Sequence, residues 1–356
     1  MYNAGMKKEE TRHATLYRAY RPQSFSEVRG QEHVVKTLQA AIKNKKTAHA
    51  YLFSGGRGTG KTTVARILAR ELGVTDKDLY EIDAASNRGI DDIRLLREGV
   101  YAMPFESPYK FYIIDEAHML TKEAWNALLK TIEEPPAHCV FVLATTDRDR
   151  VPETIQSRCE VYVFKQPTRA MLAEIVADVG KSEGYSLERS AAELVALLAE
   201  GSFRDALSIL QKVLAVSKDK KIDVSEVETV SGAPRGELVR QLLSAIAKKN
   251  VPVALGVIEK AVGENMDART LCKLLIHRMR VVLLIRFAPD LAESLSKELT
   301  EADLALAKEI SKEPGVNSDT LRALLEAYSQ MSYAAVPHLP LELAVLDICE
   351  KGEKSA

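Results

Sequence analysis

The chain of 356 residues is 46% hydrophobic and 28% charged, long enough for two or three domains with buried cores and too apolar for a disordered chain. Its net charge of −1 hides an asymmetry: residues 1–70 carry 14 Lys/Arg against 4 Asp/Glu, a net of +10, which suits a polyanion such as ATP or nucleic acid. There is no apolar stretch of membrane-span length, no signal-peptide core in residues 1–10 and no C-x-x-C among Cys139, Cys159, Cys272 and Cys349, which disfavours membrane, secreted-disulfide and zinc-ribbon classes and leaves the cytoplasm as the expected compartment.

Residues 1–15 read as a flexible polar tail. Over residues 16–166 short apolar runs alternate with amphipathic helices, which predicts a parallel α/β sheet with flanking helices. The expected strands are 51–54, 79–83, 111–115, 140–145 and 161–164. The first is followed by Gly55, Gly56, Arg57, Gly58, Thr59, Gly60, Lys61 and Thr62, a complete G-x-x-x-x-G-K-[ST] phosphate loop, and then by Thr63 and a helical run. That strand–loop–helix setting is the one in which such a loop binds a nucleotide. Glycines let the backbone curl around phosphate oxygens, and the helix start adds a positive field. Lys61 is expected on the terminal phosphates, and Thr62 on Mg²⁺.

The third strand ends in Asp115 and Glu116. Asp115 is placed to hold the Mg²⁺ shell, and Glu116 to polarise an attacking water. The fourth ends in Thr145 and Thr146, a pair that could touch the γ-phosphate or simply express β-propensity. Ser157-Arg158-Cys159 lies in a turn ahead of the fifth strand. On residues alone Arg158 is a surface arginine or a group reaching a neighbour's ATP. A 12-residue helix is expected over 121–132, stopping before Pro135-Pro136.

After Pro167 the strand signal disappears. Residues 168–184, 187–200 and 204–216 predict a small helical bundle, with a short helix at 224–230, so that a helical lid spans 167–232. Arg204 opens one of these helices, free to fold over phosphates or to pair with Asp205. Residues 233–356 predict an all-α domain with helices at 237–248, 253–262, 268–287, 301–313, 318–335 and 341–349.

The run Tyr20-Arg21-Pro22-Gln23-Ser24-Phe25-Ser26-Glu27-Val28-Arg29-Gly30-Gln31-Glu32 resembles the opening segment of AAA+ clamp-loader ATPases. The runs 49–63, 81–89, 126–136, 143–147, 157–159, 201–206 and 339–344 resemble, more specifically, the gamma/tau family of bacterial DNA polymerase III. The resemblance implies an AAA+ domain, a lid and an oligomerising collar. It implies Lys61, Thr62, Asp115 and Glu116 as Walker residues, Thr146 as first sensor, Arg204 as second sensor and Arg158 as a trans-acting arginine finger. Tyr20, Arg21 and Val28 would border the adenine, and Arg88 and Lys130 would face DNA. The implied partners are other loader subunits in a hetero-pentamer, a sliding clamp and primed DNA; the implied site is the nucleoid-associated replisome. A replication factor C-like subunit, another AAA+ remodeller and a non-hydrolysing scaffold are the alternatives, and retention of Lys61, Thr62, Asp115 and Glu116 argues against the scaffold. Two departures stand out. The four-cysteine zinc module usual in the family is replaced by residues 70–79, without cysteine, so ATP and Mg²⁺ are expected and zinc is not. The stop at Ala356 resembles the short gamma form.

Overall fold

The computed structural model of the protein describes residues 15–290, 301–313 and 316–350. They divide into two compact units. The first runs to Leu172 and takes back Ala199–Ser208; the second comprises Ala173–Leu198 and the chain from Ile209 onward. Most of the polar tail expected at 1–15 lies outside the described residues.

In the first unit, α1 (Leu16–Ala19) and α2 (Glu32–Lys43) precede β1 (Ala50–Gly55) and α3 (Lys61–Glu71). Then come β2 (Leu79–Asp83), α4 (Ile90–Val100), β3 (Lys110–Asp115), α5 (Lys122–Glu133), β4 (Cys139–Thr145), α6 (Glu153–Gln156) and β5 (Glu160–Phe164). The five strands form one parallel sheet in the order β2-β3-β4-β1-β5. All five expected strands are present, each within one residue of its expected start. The central ones are near-continuous apolar runs because both faces are covered. Alternation then sorts their side chains. Leu52, Tyr112, Ile114, Phe141 and Leu143 pack with Ile93 and Leu96 of α4 and Leu128 of α5. Tyr51, Phe53, Phe111, Ile113, Val140 and Val142 pack with Leu38 of α2 and Ile67 and Leu68 of α3. Each fully buried side chain of this size contributes about 1.5–3 kcal/mol.

The register sets the chemistry. Ser54 pairs with Thr145, Ile114 with Leu143 and Asp83 with Asp115. The carboxyl ends of β1, β3 and β4 therefore lie side by side, where parallel sheets bind ligands.

One segment between α3 and β2 is short. Asp78 there is fully buried and accepts hydrogen bonds from the backbone N–H groups of Phe105, Glu106 and Ser107 at 2.6, 2.9 and 2.8 Å. Burial alone would raise its pKa; the three donors outweigh that and bring it to about 2. Thr75 and Lys77 both bond the Glu106 carboxylate.

The second unit is mainly helical. Helix α7 (Arg169–Ser182) enters it from the first unit, and α8 (Arg189–Leu198) follows. Helix α9 (Phe203–Val216) begins in the first unit and ends in the second. The expectation that no strand follows Pro167 needs correction: β6 (Ser186–Leu187) pairs in parallel with β7 (Lys221–Ile222). Two residues per strand are too few to display a period of two, and the pairing is nonlocal. Beyond α10 (Val224–Ser231) come α11 (Gly236–Ala247), α12 (Val251–Gly263), α13 (Ala268–Phe287), α14 (Glu301–Ile310), α15 (Ser318–Gln330) and α16 (Leu339–Glu350). Asp223, Asn250, Asp267 and Asn317 cap four of these helices by accepting from backbone N–H groups of the first turn. Leu242, Ile258, Leu271, Leu275, Leu324 and Leu341 lie at the core. Arg286 donates to the carbonyls of Ile310, Ser311, Glu313 and Val316, fastening α13 to the end of α14.

Candidate active site

The loop between β1 and α3 depends on left-handed backbone at two glycines. Gly60 (φ 100°) is the cap from which α3 starts, and Gly58 (φ 69°) has its carbonyl on the backbone N–H of Phe203, 3.0 Å away. A Cβ on Gly58 would lie 2.0 Å from Ser202 Oγ, so both conformation and space require glycine. Thr59 is buried and donates to the Gly56 carbonyl at 2.9 Å. Arg57 is exposed.

Lys61 is buried, and its ammonium donates to the carbonyls of Gly55 and Gly56 at 2.8 and 2.9 Å. Burial lowers its pKa, while the carboxylates of Glu116 and Asp115 pull it back up. Thr62 Oγ1 donates to Asp115 Oδ2 at 2.8 Å. Hydroxyl and carboxylate from α3 and β3 thus share one point, a hard-oxygen donor pair suited to Mg²⁺. The loop cradle, its lysine and this pair fit a magnesium nucleotide.

Glu116 follows directly, in left-handed backbone with φ 49°. Its N–H donates to Asp115 Oδ1 at 3.0 Å, and its Oε2 accepts from Thr146 Oγ1 at 3.0 Å. The sequence-predicted acid and sensor are therefore in contact. Arg21 joins the group: its Nε donates to Thr63 Oγ1 at 3.0 Å, and burial lowers its pKa. Tyr20 and Val28 are half-buried, Val28 packing on the core shared by α2 and α3. Arg204 is exposed, with its guanidinium 5.5 Å from the ring centre of Tyr17.

Among the described residues, no hydrogen bond or ion pair joins Arg158, Arg88 or Lys130 to the loop. Arg158 donates to the Thr154 carbonyl at 2.6 Å and pairs with Glu133 at 2.5 Å. Arg88 precedes α4 and Lys130 lies in the last turn of α5, both exposed.

Two residues escape motif reading. Gln31 is buried; its amide donates to the Lys165 carbonyl at 2.7 Å and the Thr59 carbonyl at 3.3 Å, and it accepts from the Lys165 N–H. It ties the phosphate loop to the end of β5. His118 lies 3.0 Å from Thr145 Oγ1. Gln31 stands inside the opening segment, so its position was visible but its role was not.

A family model described as "DNA polymerase III, delta subunit" matches residues 30–81 and 74–168. One described as "DNA polymerase III clamp loader subunit, ATPase lid domain" matches 172–219. The chain is 38% identical to DNA polymerase III subunit tau of Bacillus subtilis, over 96% of this chain and 64% of that protein. It is 36% identical to DNA polymerase III subunit gamma/tau of Mycobacterium tuberculosis, over 92% and 61%. Against subunit tau of Escherichia coli it is 32% identical, over 93% and 54%. The chain therefore spans less than two thirds of the length of these relatives. Among solved structures, the RuvB Holliday junction branch migration motor of Thermotoga maritima aligns with a TM-score of 0.51 at 26% identity, covering 64% of this chain and 79% of that one.

Proposed function

The chain belongs to the DNA polymerase III gamma/tau family, and on that premise we propose that it is the ATP-hydrolysing subunit of a DNA sliding-clamp loader. Support comes from the grouping of Lys61, Thr62, Asp115, Glu116 and Thr146 at the carboxyl ends of three adjacent strands, with Thr62 Oγ1 2.8 Å from Asp115 and Thr146 Oγ1 3.0 Å from Glu116. A scaffold that binds no nucleotide has no use for all five.

Gly55 to Thr63 cradle the triphosphate, and Lys61 exchanges its two loop carbonyls for phosphate oxygens. Thr62 and Asp115 hold Mg²⁺, which supplies neutralisation of phosphate charge when bound. Glu116 accepts a proton from the attacking water as its oxygen bonds the γ-phosphorus and the bond to ADP breaks. Thr146 orients that carboxylate, and Arg204 approaches the phosphates from the helix that follows Ser202. Tyr20, Arg21 and Val28 border the adenine. Arg158 serves the ATP of a neighbouring subunit.

The domains of this molecule are the nucleotide-binding domain at 16–166, the lid at 167–232 and the collar at 233–356. Through the collar it joins other loader subunits in a hetero-pentamer that opens a clamp on primed DNA in the cytoplasmic replisome. No described helix is long and apolar enough to cross a membrane. Arg88 and Lys130 contact DNA phosphates, so binding is independent of sequence and weakens with salt. No zinc is required.

The test is ATP turnover by the chain assembled with loader partners, with and without clamp and primed DNA. Joint stimulation by both is expected. Turnover indifferent to them would leave an ATPase with another client.

A further inference from the structure

We propose that His118 is a positioning residue that aims the Glu116 carboxylate at the attacking water. The proposal rests on Glu116 being the base of the hydrolysis proposed above, and it begins with the proton count at Thr145.

Thr145 ends β4, is fully buried, and has one hydroxyl hydrogen. That hydrogen is donated to the Asp147 carbonyl at 2.9 Å, a group that can only accept. The same oxygen accepts the Asp147 N–H at 3.0 Å. His118 Nδ1, also 3.0 Å away, must then be the donor, which fixes the neutral imidazole as its Nδ1–H tautomer. Glu116 Oε2 lies 3.5 Å from the same nitrogen. Thr146 Oγ1 donates to that Oε2 from the other side.

The one Nδ1–H, committed to Thr145 at 3.0 Å, reaches Oε2 only as a longer contact at 3.5 Å, on the same oxygen that Thr146 Oγ1 bonds at 3.0 Å; among the described residues Oε1 makes no hydrogen bond. His118 is thus a strut from a rigid strand end to an acid whose backbone is left-handed, a conformation that for a non-glycine residue must be held by its surroundings. Removing the strut frees the carboxylate to turn, and a misplacement of about 1 Å at a reacting group costs about 100-fold in rate.

The experiment compares His118→Ala, His118→Asn and His118→Gln in the full chain assembled with its partners, beside Glu116→Gln. Asparagine returns an N–H near the position of Nδ1, whereas the longer glutamine carries its amide toward that of Nε2. For His118→Ala, kcat should fall about 10- to 100-fold while ATP binding, read with a fluorescent ATP analogue, stays within about twofold. His118→Asn should recover most of the loss, and His118→Gln should not. A His118→Ala kcat at or above wild type, or asparagine no better than alanine, would overturn the strut even with Glu116→Gln inactive. Wild-type turnover in Glu116→Gln would instead remove the base, and the strut with it. Should the alanine variant fail to fold, the contrast between asparagine and glutamine decides.

Discussion

Arg158, proposed to act on a neighbouring subunit's ATP, is occupied within this chain by the Thr154 carbonyl and Glu133. Its ion pair with Glu133 joins two side chains that are each about one third exposed, 37% and 35%. Such a pair is worth about 1 kcal/mol or less. A polyphosphate offers the same guanidinium a stronger, bidentate partner, so Glu133 holds the arginine without trapping it. Arg158→Ala should therefore leave ATP binding by the chain nearly unchanged and lower turnover of the assembled loader by about 10³-fold. Equal losses in both would count against action on a neighbour's ATP. Lys61, Thr62 and Asp115 are legible in the sequence because a phosphate loop is contiguous and an acid ends an apolar strand. Gln31 and His118 are not, since their partners are up to 134 and 27 residues away and are supplied by strand order.

Among elements, the segment between α3 and β2 depends most on one group. Asp78 receives three backbone N–H donors that carry the chain into β3. Asn at this position keeps only one acceptor oxygen, so Asp78→Asn should destabilise the fold by about 1–3 kcal/mol in denaturant unfolding at neutral pH. The carboxyl pKa is depressed on folding, from 3.8 to about 2. Its contribution is therefore complete above the unfolded value and is lost as pH falls through about 2. The stability gap between wild type and variant should close over that interval; a gap independent of pH would show that Asp78 acts without its charge. The three central strands of the first unit are plain in the sequence because burial on both faces makes them near-continuous apolar runs, whereas the edge strands β2 and β5 are partly exposed. The β6–β7 pair is silent because four residues carry no periodicity.

Over the whole molecule, the four cysteines are dispersed through both units instead of gathered. Cys139, Cys272 and Cys349 are buried, and burial pushes the thiols of Cys139 and Cys272 up to about 11 and 12. They pack as small apolar groups and resist becoming the thiolates a zinc site needs. Metal analysis of the purified chain should find no stoichiometric zinc, and one equivalent per chain would overturn this. The likeness to RuvB reaches only the fold, while the gamma/tau identity extends over both units. Most of the motifs cluster in the first unit, whereas the helical one is specified mainly by its apolar stripes and helix caps.

The Asp78 clasp also makes the molecule tolerant of invention. Val74 is buried on the α3 side of the short segment, and Asp78 is locked on the β2 side. These two anchor points flank Thr75–Lys77, and each doubling of a flexible loop costs only about 0.6 kcal/mol. An insertion there is expected to lose the bonds of Thr75 and Lys77 to Glu106 while the buried Val74 and the Asp78 clasp remain on either side. The same three residues are a natural place to graft a reporter domain into the working protein.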